Sequence, residues 1–298
     1  MNTEKKEILL SVFMITYNQE KYIANAIESV LMQITDFDYE IVIGEDCSTD
    51  RTRDICIRYA QKHPGKIKLL LSESNLRVMP NFIRTLLACT GKYIAMCDGD
   101  DYWTDPCKLQ KQVDFLEANP DFSLCFHDVL LSKNNEVIGK YVQKQTDVFT
   151  TNDLFDRHFI ATCSIVFRNN IYIPEWFAKI ASGDRALLFL CSLKGKLKLI
   201  NEVMGVYRLH SGGISNQHFG VKKVYDTAYL FNLFDEYTNF HFTQKCYEGL
   251  TYEIETHIIS KYYSNCSSND NIESYSIIKL IKIIIKRIIR KFFTPFKN

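Results

Sequence analysis

Three carboxylates, Asp98, Asp100 and Asp101, fall within four positions, with Gly99 between the first two. Carboxylates this close raise one another's pKa unless a cation neutralises them. Hard divalent cations such as Mg²⁺ take oxygen ligands, often one or two carboxylates completed by phosphate oxygens of a substrate. The triplet therefore reads as a metal–phosphate platform. The plainer reading is an acidic turn in which Asp105, followed by Pro106, caps the next helix. The flanks favour the platform. Lys92-Tyr93-Ile94-Ala95-Met96-Cys97 is a short, mostly apolar strand, and it runs straight into the acids, Tyr102 and Trp103. In open α/β sheets, ligands bind at the carboxyl ends of strands.

A second acidic cluster repeats the pattern. The strand Tyr39 to Gly44 runs into Glu45-Asp46-Cys47-Ser48-Thr49-Asp50-Arg51-Thr52, which opens a helix over Thr52 to Lys62. Ser48, Thr49 and Asp50 are residues that cap helices. Asp46 stands earlier, at the strand tip, better placed for a ligand. Farther on, Asp184 follows Ser182-Gly183 at the start of an apolar helix, where capping is the plainer role. Arg208 and His210, in Tyr207-Arg208-Leu209-His210, point the same way if extended, which suits a joint phosphate or metal contact. The His127-Asp128 pair lies in the apolar strand Phe122 to Leu131 and reads as a satisfied buried pair.

The elements that position these groups follow from periodicity. Ile8 to Tyr17 is a continuous apolar run, expected as a buried parallel strand. From Glu20 to Ile34, Ile23, Ala26, Ile27, Val30 and Leu31 recur at helical spacing. Ile67 to Ser72 is a third strand, and Asn81 to Ala88 a helix. Strand and helix thus alternate over about a hundred residues, which implies a parallel sheet with right-handed crossovers. All strand carboxyl ends then share one edge, and the two acidic clusters become one site. The turn Thr16 to Glu20 has no glycine, which argues against a Rossmann dinucleotide fingerprint or a P-loop. Gly195 to Val206 reads as turn, strand, turn, strand, and from Gln217 the chain reads as helical.

Composition narrows the classes. The net charge of +1 splits into +7 from the last 25 residues and −6 from the rest, which disfavours nucleic-acid binding by the body. Ten cysteines form no CxxC pair and no zinc spacing, which leads us to expect a reducing, intracellular setting. No apolar run approaches the ~20 residues of a membrane span. In Ser276 to Phe293, bases interrupt an Ile-rich run every three or four positions. A helix there would gather Lys and Arg on one face, as in interfacial helices drawn to anionic lipid.

Taken in order, these motifs resemble the inverting family 2 glycosyltransferases of the GT-A fold, notably bacterial enzymes of surface polysaccharide synthesis. The resemblance covers about Leu10 to Ser215. Val12 to Asn18 looks like the family's first strand and nucleotide-side turn. Glu45 to Thr52 resembles "DDxSxDxT", with Glu45 departing from the first acid. Asp98-Gly99-Asp100-Asp101 looks like the DXD motif, Gly183-Asp184 falls where the base-bearing acid is kept, and Tyr207 to His210 resembles a motif after the last core strands.

The resemblance implies an α/β fold of GT-A type, a mostly parallel sheet flanked by helices. A Rossmann-like donor half would cover about 8–128 and an acceptor half about 129–215. Beyond its reach, the residues themselves lead us to expect a helical extension (216–266) and a polar linker with a basic amphipathic membrane-associating helix (267–298). The resemblance also implies a nucleotide-sugar donor, a UDP-sugar first, and Mn²⁺ or Mg²⁺. Thr16, Tyr17 and Asp46 would hold the nucleobase and Asp98 the ribose side. Asp100 would bind the metal, with Asp101 close by and His210 completing the shell. Arg208 would meet phosphate, and Asp184 would deprotonate the acceptor hydroxyl. The acceptor is expected to be a saccharide, possibly lipid-linked, and the protein peripheral on the cytoplasmic membrane face. The loop Ser211 to Asn216, with two glycines, is a candidate lid.

Two other readings remain at this point. A sugar-phosphate nucleotidyltransferase shares a related sheet and acidic site but usually carries a Gly-rich, Arg-bearing loop after the first strand, which Thr16 to Glu20 lacks. A catalytically silent, membrane-docked binding protein on the same fold is the other; the intact Asp98, Asp100 and Asp184 argue against it.

Overall fold

The structure is a computed structural model that describes residues 8–134, 136–141, 146–156, 158–213 and 220–259. The expected lid beyond Gly213, the linker and the basic amphipathic helix lie outside these residues. The chain divides into two compact units, one of residues 1–151 and 159–211, the other of 152–158 and 212–298.

The first unit is built on one sheet. Its strands are β1 (Leu10–Thr16), β2 (Tyr39–Glu45), β3 (Ile67–Leu71), β4 (Tyr93–Met96), β5 (Tyr102–Trp103), β6 (Phe122–Lys133), β7 (Glu136–Lys140), β8 (Val148–Phe149), β9 (Val166–Arg168) and β10 (Lys196–Leu209). The order is β3-β2-β1-β4-β9-β6-β10-β5, with β7 on β6 and β8 on β10. β3, β2, β1 and β4 run parallel, as the alternating pattern predicts. β9 is antiparallel to both β4 and β6, and β6 and β10 are parallel to each other. The sheet is therefore mixed, with β3, β2, β1 and β4 as its parallel half.

The helices are α1 (Ile23–Leu31), α2 (Thr52–Lys62), α3 (Val78–Leu87), α4 (Lys108–Ala118) and α5 (Gly183–Ser192). α1 forms because Ile23, Ala26, Ile27 and Val30 make one apolar stripe, and all four are fully buried. α3 lies close on β2. Its Asn81 Nδ2 donates to the Gly44 carbonyl at 2.9 Å, and a Cβ on Gly44 would fall 2.0 Å from Thr85 Oγ1. Only glycine allows that approach. Phe13 of β1 meets Phe82 of α3 with ring centroids 4.7 Å apart.

One departure from the sequence reading matters for the site. Gly195 to Val206, expected as two strands separated by a turn, is a single long β10 whose register against β6 shifts between Ile200 and Val203 and again by Gly205. Bulges absorb the polar Asn201-Glu202 without ending the strand. The chain after the acids also turns back as β5, which pairs with β10 through Gly205↔Trp103 and Val206↔Tyr102. That pairing delivers Arg208 to Asp100 and Asp101.

The second unit carries α6 (Gly220–Tyr237) and α7 (Thr243–Ile254). They pack around Phe155, whose ring meets Phe231, Phe234 and Phe242 at 5.0, 6.1 and 5.6 Å. Buried Asp235 accepts from Phe242 N–H and Thr243 Oγ1 and so fixes the turn between the helices. Among the described residues, no helix is long and apolar enough to cross a membrane.

Candidate active site

The two acidic clusters and the β1–α1 turn meet at the carboxyl ends of β1, β2 and β4. The turn and the second cluster are stitched by hydrogen bonds. Asn18 N–H donates to Ser48 Oγ at 3.0 Å, Gln19 N–H to Thr52 Oγ1 at 2.7 Å and Glu20 N–H to Asp50 Oδ2 at 3.1 Å. Asn18 Oδ1 accepts from Thr49 N–H, and Glu20 Oε2 from Arg51 N–H. Asp50 Oδ1 also accepts from the N–H of Thr52, the first residue of α2, while the N-cap position itself falls on Arg51, which makes no side-chain capping bond. These short polar side chains mainly shape one loop against another. Asn18 and Cys47 both hold positive φ, 53° and 62°, within this pair of turns.

Glu45 is fully buried and braces the same loops, accepting from Arg53 Nε and Ser48 N–H at 2.6 Å each. Asp46 is 3% exposed, and its two oxygens accept from Leu76 N–H at 2.8 Å and Arg77 N–H at 3.0 Å. Burial raises its pKa, and those two amides oppose the rise. Asp46 thereby clamps a strained turn, since Arg77 sits at φ 75°. Thr16 is buried and donates to Gln19 Oε1 at 2.7 Å, and Tyr17 is 42% exposed at the turn.

The Asp98–Asp101 loop lies against this turn. Gly99 N–H donates to the Ile15 carbonyl at 3.1 Å. A Cβ on Gly99 would fall 2.4 Å from Gln19 Oε1 and 2.9 Å from Thr16 Oγ1, so a larger residue there must displace the Gln19 and Thr16 side chains.

The acids then take different places. Asp98 Oδ1 is buried with no hydrogen-bond partner among the described residues. Burial, then Asp100, Asp101 and Asp184, hold the Asp98 carboxyl well above the usual range. Asp184 thus lies within electrostatic reach of Asp98, and its own Oδ2 accepts from Thr162 Oγ1 at 3.1 Å. Asp100 Oδ2 lies 3.0 Å from His210 Nε2, and both side chains are partly exposed. Asp101 is 2% exposed; its Oδ1 accepts from Arg208 N–H at 2.9 Å, and the Cys163 thiol bonds its carboxyl. Burial and the Asp100 charge raise the Asp101 pKa, and those two bonds oppose them. Asp101 pins β10 to the acidic loop. The Arg208 guanidinium donates to the Asp100 carbonyl and to Asn25 Oδ1, each at 2.6 Å.

Trp103 is buried, its N–H donating to the Ser29 hydroxyl at 3.1 Å and its indole to the Cys163 carbonyl at 2.7 Å. The aromatics after the acids therefore serve the framework. Tyr22, Asn25 and Thr162 belong to the site's surroundings without a sequence signal: each is a common polar residue in an ordinary-looking helix or loop.

The donor set suits a divalent cation. Asp100 and His210 give one carboxylate and one imidazole side by side, beside the Asp98 oxygen that has no partner among the described residues, and the carboxyls of Asp98, Asp100 and Asp101 outnumber the Arg208 guanidinium next to them. Among the described residues, no three His, Cys, Asp or Glu side chains form a metal site by themselves. A cation here would need phosphate oxygens and water to complete its shell, which is how Mg²⁺ is usually held.

Comparison with known proteins decides the family. The glycosyl transferase family 2 profile matches residues 11–171. The chain belongs to this family. An uncharacterised protein of Mycobacterium tuberculosis (strain H37Rv) is 36% identical over 69% of this chain and 60% of its own length. The chain thus spans about 60% of the curated mycobacterial relatives it matches. The Escherichia coli UDP-Glc:alpha-D-GlcNAc-diphosphoundecaprenol beta-1,3-glucosyltransferase WfgD is 28% identical over 72% of this chain and 82% of its own length. The structure of S. aureus TarS 1-349 in complex with UDP-GlcNAc superposes with TM-score 0.66 at 18% identity, covering 89% of this chain and 78% of that one. That likeness shows the shared GT-A fold. The family assignment falls on β1 to β9, the stretch that holds both acidic clusters.

Proposed function

We propose that this family 2 protein transfers a sugar from a nucleotide-sugar, a UDP-sugar first, to a saccharide hydroxyl with inversion, in cell-surface polysaccharide synthesis. The observation that carries the reading is the convergence of the Asp100–His210 pair and Asp184 on Asp98, which follows β4 at the carboxyl edge of the sheet's parallel half. The UDP-GlcNAc bound to TarS and the UDP-Glc named for WfgD support uracil as the base. WfgD's diphosphoundecaprenol acceptor supports a lipid-linked one here.

In this reading Thr16 and Tyr17 line the base, Asp46 shapes its pocket by holding the Leu76–Arg77 turn through both carboxylate oxygens, and Asp98 faces the ribose. Asp100 and His210 would hold Mn²⁺ or Mg²⁺, which when bound neutralises charge on the departing diphosphate. Asp184 takes the proton of the acceptor hydroxyl as its oxygen attacks the anomeric carbon from the face opposite the leaving group. The Thr162 hydroxyl donates to Asp184 Oδ2 at 3.1 Å and so orients the base. A single displacement inverts the configuration. Arg208, fixed on the Asp100 carbonyl, adds positive charge beside the diphosphate. Asp101 acts through Arg208 by holding its backbone.

The test is thermal stability with UDP, GDP, dTDP and CMP, each with and without Mn²⁺, on the wild type and Asp100→Asn. Saturation at a hundred times the dissociation constant raises stability by about 2.7 kcal/mol. A metal-dependent shift with UDP, lost in the variant, is the expected result. No shift with any nucleotide favours a silent binding protein. Release of pyrophosphate in place of nucleoside diphosphate during turnover would identify a nucleotidyltransferase.

The basic segment 276–293 supports a peripheral place on an anionic, cytoplasmic membrane face. Truncation at Ser274 is expected to abolish binding to anionic vesicles and leave UDP binding intact. Unchanged vesicle binding would refute the membrane role.

A further inference from the structure

The metal-side pair of the site is held by residues on a helix that carries none of the family motifs. Arg208 donates from one guanidinium nitrogen to the Asp100 carbonyl and from another to Asn25 Oδ1, both at 2.6 Å. The same guanidinium lies 4.2 Å from the Tyr102 ring centroid and 5.3 Å from that of Tyr22. The Tyr22 ring in turn packs on His210 with centroids 4.7 Å apart. Asn25 lies in the first turn of α1 and Tyr22 immediately precedes that helix. Both groups expected to hold the cation, Asp100 and His210, are thus propped from α1.

We propose that Asn25, with Tyr22, is a positioning residue for the metal-side pair: it moors Arg208 on the Asp100 carbonyl and keeps the guanidinium off the Asp100 carboxylate. The inference rests on the metal–diphosphate reading above and deepens it. The physical argument is one of competition. A guanidinium fork matches a carboxylate and binds it with two hydrogen bonds when free to reach it. Arg208 is already beside Asp100, so only its anchors keep the carboxylate open. The Asp100 carbonyl satisfies one nitrogen, Asn25 satisfies another, and the two tyrosine faces fix the plane by cation–π contact. Without the Asn25 oxygen, one edge of the fork loses its partner, and the carboxylate of Asp100, the residue whose carbonyl the guanidinium already holds, is an anionic acceptor on the same loop. Arg208 would then occupy the ligand that the cation needs. Asn25 is exposed, so substitution there leaves the packed face of α1 untouched.

The test compares wild type, Asn25→Leu and Asn25→Asp in the full chain. Mn²⁺ binding is read by electron paramagnetic resonance of free Mn²⁺ in the presence of UDP, without turnover. Leucine keeps the size and removes the acceptor; aspartate restores an oxygen to Arg208. Loss of one charge-assisted bond predicts Mn²⁺ binding weaker by about ten-fold or more in Asn25→Leu, with recovery in Asn25→Asp. The thermal midpoint is expected to stay within about 2 °C of wild type, because the site is exposed. Unchanged Mn²⁺ affinity in Asn25→Leu overturns the positioning role while leaving the metal reading intact. A weakening that tracks a large fall in the midpoint, without recovery by aspartate, also overturns it and assigns Asn25 to folding. Wild-type protein that binds no Mn²⁺ with UDP overturns both this inference and the metal reading, a result the other outcomes cannot mimic.

Discussion

Lys108, at the start of α4, is fully buried, and its Nζ has no hydrogen-bond partner among the described residues. It lies 3.8 Å from the Trp103 ring centroid, directly behind the acidic loop. Burial drives its pKa from 10.5 down to about 7, opposed only weakly by the Cys97, Cys125 and Cys163 thiols. The sign of the linkage follows. Below pH 7 both folded and unfolded states carry the proton, and the full cost of burying the charge is present. As pH rises from 7 towards 10.5 the folded state releases the proton first, so stability increases. For these two pKa values the gain between pH 6 and pH 9 is about 2.7 kcal/mol. Lys108→Met removes the titrating group while filling the same slot. Urea unfolding of both proteins, followed by tryptophan fluorescence at pH 6, 7, 8 and 9, isolates the effect as a difference. Both tryptophans, Trp103 and Trp176, lie in the sheet-bearing unit, so the signal reports on its unfolding. The methionine variant is expected to be the more stable at pH 6, with its advantage shrinking by about 2.7 kcal/mol by pH 9. A difference that stays flat across this range would refute the argument, because Lys108 would then keep its proton throughout.

Three further substitutions probe the site. Gly99→Ala would place a Cβ 2.4 Å from Gln19 Oε1 and 2.9 Å from Thr16 Oγ1; a loss of about 1–3 kcal/mol in chemical unfolding is expected, together with weaker UDP binding by calorimetry. Asp46→Asn turns one of two accepting oxygens into a donor facing a backbone N–H at about 3 Å, so stability should fall by about 1–3 kcal/mol and hydrogen exchange at Leu76 and Arg77 should accelerate. Asp184→Asn removes the proposed base but can still accept from Thr162, so kcat should fall by about 10²–10⁴-fold while UDP affinity, measured directly, stays within about two-fold. Equal losses in both would make Asp184 a binding residue.

How much of this was legible in the sequence depends on what each residue's environment could announce. The parallel half was readable because β1, β2 and β4 are buried on both faces and so appear as unbroken apolar runs, and α1 because its stripe is regular. Rise along a strand and shared strand direction then placed both acidic clusters on one edge without any coordinates. β5, β7 and β8 were not readable: two of them are two residues long and the third is exposed at every position, so none leaves a buried alternation. β10 was misread as two strands for the opposite reason. Its polar Asn201-Glu202 looks like a turn, and only pairing on both sides, with β6 and β5, keeps it continuous.

The same distinction separates the acids. Residue type alone made Asp98, Asp100 and Asp101 equivalent, because carboxylates at a strand end satisfy the same chemical pattern whatever they touch. What divides them is partner supply. Asp101 meets the backbone N–H of Arg208 and the Cys163 thiol, so its charge is spent inside the fold. Asp46 and Glu45 meet amides and Arg53 and brace neighbouring turns in the same way. Asp98 keeps an oxygen that nothing among the described residues satisfies, and Asp100 faces outward to His210. A buried oxygen left without a donor costs about 1–3 kcal/mol unless a ligand or cation supplies the missing contact. The framework acids therefore stabilise the loops in the absence of any ligand, whereas Asp98 is the buried carboxylate, and Asp100 the outward-facing one, to which a bound donor and cation would supply contacts. Neutralising an acid of the first kind should lower stability with and without nucleotide alike. Neutralising one of the second should leave the ligand-free protein as stable or more so, and remove the stabilisation that nucleotide and metal confer.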